Sequence, residues 1–335
     1  MKNIKAVIAG DTPPDGLEAI VKQADLKKTK KGDPYLVGVI QDRSGEIAFN
    51  VWDAGSTMDV MSKAGSPVIL NKASSSPYQG KPQLTISKAS SINIERAKLS
   101  GIIPASQIPI DILKEDMEKI VVAIEKVSGS SGFKHIRDVI KTLEQDGSLA
   151  KFYTHPAAKT MHHDYLHGLL EHSTQVARIA FNTCNVYKNH PSYHKIDKGL
   201  LLTAALWHDI GKLDEYDIGP LGLVEEYSLE GGMTTHMVTG VERVTRMYEP
   251  YLTTMELVKV RHVILSHHGN LEYGAVVVPA CFEAFLVHHA DMIDSNRGPF
   301  LDIEHGFDKV WFKPYGRSRM LNSDYKISGE NDLDV

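Results

Sequence analysis

Between residues 17 and 95 the apolar positions come in short runs with a period of two, the pattern of strands that bury one face. Tyr35-Leu36-Val37-Gly38-Val39-Ile40 is β-branched and apolar, and Asp42-Arg43-Ser44-Gly45 supplies a hairpin turn. The next run, Glu46-Ile47-Ala48-Phe49-Asn50-Val51-Trp52, places Ile47, Phe49 and Val51 on one face and Trp52 on the other. A short helix is predicted near Ser56–Lys63. Strands over Pro67–Ser74 and Gln83–Ala89 flank a turn at Pro77-Tyr78-Gln79-Gly80-Lys81.

Pro104 and Pro109 punctuate a linker, after which the period becomes helical. Ile112, Leu113, Met117, Ile120, Val121 and Ile124 recur at three- and four-residue spacing, so a helix is predicted over Asp111–Val127. Ser128-Gly129-Ser130-Ser131-Gly132 ends it, and another begins over His135–Leu143. From His162 onward the chain reads as nearly all helical, and the last ~30 residues are polar and expected to fray. Five short strands interrupted by one helix fit the partly open barrel of an OB-fold. The expected fold class is therefore multidomain, a small all-β OB-fold barrel followed by an all-α helical bundle. The expected boundaries are 15–95 for the barrel, 96–150 for a helical connection, 151–300 for the bundle and 301–335 for an extension.

Charge separates the two parts. The net charge of −5 divides into +4 over residues 1–98 and −9 over the rest, which suggests different ligands for each. No apolar run approaches the ~20 residues that cross a bilayer, and the N-terminus lacks the apolar core of a secretory signal. Cys184 and Cys281 form no CxxC pattern, so neither a disulfide framework nor a thiolate zinc site is expected. A soluble cytoplasmic protein, with no membrane partner, is the simplest expectation. Histidine is far less even than charge: all 16 lie at or beyond His135, and 13 fall between His162 and His289.

The sharpest local element is Ala204-Ala205-Leu206-Trp207-His208-Asp209-Ile210-Gly211-Lys212. An adjacent His and Asp at the polar end of an apolar helix can bind one metal together, and buried charges need such a partner. Other histidines and carboxylates accompany it on helices or helix edges: His172 upstream, then His236, His267-His268 and His288-His289-Ala290-Asp291. A donor set of imidazole and carboxylate suits Mn, Fe, Ni, Co or Zn at a reactive centre better than a structural zinc site.

The pattern His172, His208-Asp209 and Asp291 resembles the HD-domain metal-dependent phosphohydrolases. Phe152-Tyr153-Thr154-His155-Pro156-Ala157-Ala158-Lys159, His162-His163-Asp164-Tyr165-Leu166-His167-Gly168-Leu169-Leu170-Glu171-His172 and Ser266-His267-His268-Gly269-Asn270-Leu271-Glu272-Tyr273-Gly274 look like the signature of one branch, the YhaM-type 3′-5′ exoribonucleases. Members of that branch place an OB-fold before the HD domain. Two departures stand out, since the family has a glycine where His167 stands and another just before the histidine matched by His236, where this chain has Thr235.

The resemblance implies one metal on His172, His208, Asp209 and Asp291, and a second bridged by Asp209 and held by His236, His267 and His268. It implies two divalent ions, with manganese leading and iron, cobalt, nickel or magnesium as other candidates. The implied reaction is 3′-5′ hydrolysis of single-stranded RNA, with single-stranded DNA as a second substrate, to nucleoside 5′-monophosphates. Lys212 either contacts a phosphate oxygen beside the catalytic Asp209 or is a lysine favoured by a helix C-terminus. His162 and His163, about two and a half turns before His172, either line the substrate channel or support the ligands, and Arg297 is a further phosphate candidate. On the barrel, Tyr35, Trp52 and Tyr78 can stack bases and Lys30, Lys31, Lys72 and Lys81 can meet phosphates, although aromatics in small barrels often fill the core. Two other functions compete: hydrolysis of small or cyclic nucleotides, and strand binding without catalysis. Self-association is left open.

Overall fold

The computed structural model describes residues 3–52, 55–95, 97, 101–160, 162–297, 307–312 and 316–321. A short helix, α1 (Ile4–Ile8), leads into five strands: β1 (Leu17–Lys28), β2 (Pro34–Asp42), β3 (Gly45–Val51), β4 (Pro67–Tyr78) and β5 (Lys81–Ser91), with α2 (Ser56–Met61) between β3 and β4. They close in the order β1-β2-β3-β5-β4, with β4 returning to β1 and β3 running parallel to β5. This is an OB-like closed barrel. Closure leaves no free edge, and the period-two pattern supplies its core: Ile47, Phe49 and Val51 are buried with Leu36, Ile40, Leu70 and Leu84. β1, β4 and β5 run to 11 or 12 residues, so the strands are longer than the sequence pattern suggested.

The helical region comprises α3 (Ile110–Val127), α4 (Ile136–Gln145), α5 (Ser148–Thr154), α6 (Gly168–Val186), α7 (Lys198–Trp207), α8 (Lys212–Glu215), α9 (Leu229–Tyr248), α10 (Thr254–Ser266) and α11 (Phe282–Ser295). On α3 the residues Leu113, Met117, Ile120, Val121 and Ile124 are buried, while Ile112 falls outside the stripe and is exposed. The centre of the bundle is α7, whose residues Gly199–Trp207 are all buried. A helix apolar all round must be enclosed by others, and α6, α3, α11 and α10 enclose it.

Two short hairpins interrupt the nearly all-helical pattern beyond His162, β6–β7 (Tyr216–Ile218 with Val224–Tyr227) and β8–β9 (Phe307–Phe312 with Gly316–Leu321). Residues 322–335, the final stretch of the tail expected to fray, lie outside the described residues. The β6–β7 turn brings Leu221 against Ile20 of the barrel and against Ile102, Ile103 and Leu166. Beside this apolar contact, Lys22 of β1 bonds both Glu46 and Asp164 at 2.8 Å. The barrel is thereby pinned next to the loop that precedes α6. No described helix is long and apolar enough to cross a membrane.

Candidate metal centre

The end of α7 delivers His208 and Asp209 to the middle of the bundle, where both are buried. Gly211 lets the chain turn there: a Cβ would lie 2.0 Å from the His236 carbonyl oxygen and 2.5 Å from the Gly240 nitrogen, so a side chain would push α8 off α9. α6 contributes His172, α9 His236, the end of α10 His267 and His268, and α11 Asp291.

Five imidazoles are oriented the same way. The Nδ1–H of His172 donates to Asp294 at 2.6 Å, and that of His236 to Glu215 at 2.9 Å. His208, His267 and His268 donate to the carbonyls of Ala205, Ile264 and Tyr273 at 2.8, 2.6 and 3.0 Å. A carbonyl or carboxylate accepts only, so each Nδ1 carries the proton and each neutral ring presents a bare Nε2. The Nε2 atoms of His236 and His267, with Oδ1 of Asp209, are buried without a hydrogen-bond partner.

The spacing fits cations. His172 Nε2 lies 3.1 Å from His208 Nε2, 3.2 Å from Asp291 Oδ1 and 3.3 Å from Asp209 Oδ2. At bond lengths of about 2.1 Å, ligands of one ion sit roughly 3.0–3.4 Å apart. The other Asp209 oxygen faces His236 and His267 Nε2 at 3.5 and 3.6 Å. His236, His267 and His268 form one ligand-sized group and His172, His208 and Asp291 another, with Asp209 between them. Acceptors this dense and this buried demand positive charge, so the residues fit divalent metal ions.

The electrostatics agree. Burial pushes the Asp209 carboxyl up, but the Lys212 ammonium and the surrounding histidines outweigh it and hold it well below the usual carboxylate range. Asp291 is lowered likewise, burial being outweighed by hydrogen bonding to His172. Burial also opposes charge on His172, yet hydrogen bonds it donates to Asp209, Asp291 and Asp294 raise it well above its ordinary value. His162 and His268 are lowered to about 3, mainly by burial and then by neighbouring cationic groups, so both are neutral at pH 7.

The remaining expected site residues separate. Lys212 is buried with its ammonium 2.6 Å from Asp209 Oδ2, so it compensates that carboxylate. His162 borders the centre, its ring 6.1 Å from His172. His163 does not line a channel: it is 2% exposed and bonded to Asp294 at 2.7 Å. Neither precedes His172 on the helix, because α6 begins at Gly168. Arg297 is engaged by Glu171 at 2.6 Å and by Asp294 at 3.4 Å, behind the ligands. Two functional residues went unread in the sequence, Asp294 and Glu215, the carboxylates that orient His172 and His236. Asp294 lies one helical turn from Asp291, and that spacing was the available signal.

On the barrel, Tyr35 and Trp52 stack on each other with ring centroids 4.7 Å apart, and Trp52 is 54% exposed. Lys30 and Lys31 occupy the adjacent β1–β2 turn and Lys72 is exposed on β4. Tyr78 and Lys81 pair at the β4–β5 turn. By register that turn lies near the start of β3 and Trp52 follows its end, some six residues or roughly 20 Å away. The two groups therefore flank the β2–β3 face rather than forming one cluster.

A family model described as the HD domain matches residues 169–296, the segment that holds every one of these metal-site histidines and aspartates. Residues 169–296 of the helical region are an HD domain. Proteins named 3′-5′ exoribonuclease YhaM are similar to the chain well beyond it. The one from Listeria monocytogenes serotype 4b (strain CLIP80459) is 28% identical over 281 residues, 83% of each chain. That from Oceanobacillus iheyensis is 29% identical over 281 residues, 83% of this chain and 82% of the relative. The Bacillus subtilis (strain 168) protein is 27% identical over 279 residues, again 83% of each. The HD-domain chain is thus related to that family at modest identity. A solved OB domain from Thermoplasma acidophilum overlaps 28% of this chain and 86% of its own at 13% identity, with a TM-score of 0.23.

The two expected departures from glycine both have positive φ. His167 sits at φ 69°, ψ 5°, its Nδ1–H donating to the Tyr153 carbonyl at 2.7 Å. Thr235 sits at φ 67°, ψ 158°, a region essentially reserved for glycine. It breaks α9 so that the His236 N–H turns to Glu215 Oε1 at 3.0 Å. Thr235→Gly should therefore stabilise the protein by about 1–2 kcal/mol, relief of strain exceeding the added chain entropy. Thermal unfolding checks this; an unchanged or lower midpoint would contradict it.

Proposed function

We propose that the chain is a metal-dependent 3′-5′ exonuclease that shortens single-stranded RNA to nucleoside 5′-monophosphates and tolerates single-stranded DNA. The observation that carries it is the extent of the similarity to proteins named 3′-5′ exoribonuclease. The part of the chain outside that similarity is shorter than the barrel, so the match draws on both barrel and metal centre.

His172, His208, Asp209 and Asp291 would hold one ion, and Asp209, His236, His267 and His268 the other. Two divalent cations there, manganese first among the candidates, would acidify a water and neutralise charge developing on the phosphodiester. The chain's own contribution is orientation: Asp294 and Glu215 fix two rings, Lys212 keeps Asp209 ionised, and Asp209 offers one oxygen to each ligand group. Residues 151–300 form the catalytic part of this scheme, 15–95 the strand-binding part, 96–150 their connection and 301–335 an extension.

The barrel suits a strand that must advance at any sequence, since stacking is indifferent to base identity. Tyr35 and Trp52 supply a platform at one end of the β2–β3 face, with Lys30, Lys31 and Lys72 for phosphates, and Tyr78 with Lys81 marks the other. Trp52→Ala should weaken binding of a single-stranded RNA by roughly 5- to 100-fold, the worth of one stacked base. Fluorescence anisotropy with a labelled oligonucleotide reads the effect, and unchanged affinity would remove Trp52 from the platform.

The proposed activity is tested by incubating the protein and Mn²⁺ with 5′-labelled single-stranded RNA, the matching DNA, and a panel of small and cyclic nucleotides. A ladder shortening from the 3′ end supports it. Hydrolysis confined to the small nucleotides, or a gel shift without cleavage, overturns it.

A further inference from the structure

Lys22 sits in a β-bulge. β1 pairs Val21 with Ile40 and Gln23 with Val39 of β2, which leaves Lys22 as the extra residue between them. A bulge re-aims the side chain it carries, and bulges are over-represented at barrel rims and beside active sites. Here the Lys22 ammonium lies 2.8 Å from Glu46 of β3 and 2.8 Å from Asp164 of the loop ahead of α6. The Glu46 side chain is 56% exposed, so water screens that arm. Lys22 and Asp164 are only 20% and 19% exposed, which makes the arm leaving the barrel the stronger one.

Asp164 is the middle of three consecutive residues with three destinations. His163 before it donates its Nε2–H to Asp294 at 2.7 Å, and the same Asp294 oxygen accepts from His172 at 2.6 Å. Tyr165 after it holds its hydroxyl 3.0 Å from Glu171, the residue preceding His172 on α6. That hydroxyl is also 3.0 Å from His163 Nδ1. Between these two, Asp164 reaches back across 142 residues to the barrel. The loop is awkward to hold: His163 and His167 have φ of 58° and 69°. Non-glycine residues keep that left-handed backbone where their surroundings fix it, so the loop depends on its contacts for its shape.

We propose that Lys22 and Asp164 are positioning residues of the metal centre. Seated on Asp164, the barrel keeps the 163–165 loop in the shape that holds His163 on Asp294 and Asp294 on His172. The affinity of the cluster for a divalent cation then depends on a lysine of the other domain. A barrel that only offered a surface to a strand would need no such connection. With it, the strand-binding part and the metal-binding part are coupled, and a change at one is felt at the other. The inference rests on the metal reading of the cluster and is independent of which phosphodiester is cut.

Calorimetric titration of the chelator-stripped full chain with Mn²⁺ provides the test. Lys22→Met and Asp164→Asn should each weaken binding about 3- to 10-fold, less than loss of a directly orienting carboxylate because the effect passes through His163 and Asp294. The double variant should be no weaker than either single, since both remove one contact. Lys22→Arg, which keeps the charge, should bind within about twofold of the wild type and so separates a lost ion pair from a damaged fold. In an Asp294→Asn background, Lys22→Met should cost nothing more. Mn²⁺ affinity within twofold of the wild type in both single variants, with native circular dichroism, overturns the assignment. A Lys22→Met loss that adds in full to that of Asp294→Asn overturns it too. A wild type that binds Mn²⁺ but shortens no RNA counts against the exonuclease reading alone, whereas one that binds no Mn²⁺ removes the metal reading and this inference together.

Discussion

Asp209→Ala is expected to lose bound metal and phosphodiester hydrolysis together, with the rate falling about a thousandfold or more. Among the described residues Asp209 is the carboxylate of the centre whose two oxygens face different groups of histidines, so its loss opens both groups at once. The same substitution strands the buried ammonium of Lys212, which now lies 2.6 Å from the carboxylate. Breaking one side of a buried ion pair costs about 3–5 kcal/mol, so the alanine variant should also unfold more easily. Two further variants separate the effects. Asp209→Asn keeps the shape and should keep most of the fold, and combining Asp209→Ala with Lys212→Met removes both charges. Both should bind little metal by elemental analysis and hydrolyse nothing measurable, while their circular dichroism stays native. Metal content equal to the wild type in either variant would remove Asp209 from the ligand set.

Asp294→Asn should lower metal affinity by roughly 10- to 100-fold without touching a proposed ligand. Asp294 Oδ2 accepts from His172 at 2.6 Å and from His163 at 2.7 Å, and the carboxyl is 1% exposed. An amide there can still accept, but its NH₂ must face another group, and one of the two rings loses its acceptor. His172 is then no longer held in the tautomer that bares Nε2. The carboxylate's charge, which makes that imidazole a better donor, is lost as well. Isothermal titration with Mn²⁺ of the chelator-stripped protein reads the change. Affinity within twofold of the wild type would show that Asp294 only packs.

The histidine and aspartate cluster was legible because metal chemistry restricts residue types and because His208-Asp209 are adjacent, so one short motif anchored the rest. The barrel was legible because Ile47, Phe49 and Val51 alternate strictly and are indeed buried, while Trp52 points out. What stayed hidden depends on contacts between distant segments. Asp294 meets His163 across 131 residues, and nothing local distinguishes it from a solvated helix carboxylate. Glu215 likewise meets His236 across 21 residues. The sequence leaves His163 open between channel and support because its neighbours read as helical, whereas it sits at φ 58° in a tight turn ahead of α6. The β6–β7 hairpin has strands of three and four residues, too short for any period to register, although Gly219-Pro220-Leu221-Gly222 is a turn signal. Sequence gives no register, so the relative placement of the barrel candidates stays hidden; strand pairing puts them at opposite ends of a face.

Hydrolysis from a 3′ end should depend on cations held by this cluster. Its most direct test is a titration of the chelator-stripped wild type with Mn²⁺, following calorimetric binding and shortening of a 5′-labelled RNA in the same preparation. About two ions should bind per chain, with a ladder from the 3′ end that appears only as those sites fill. Hydrolysis in full chelator, or two tightly bound ions with the RNA left intact, would contradict it.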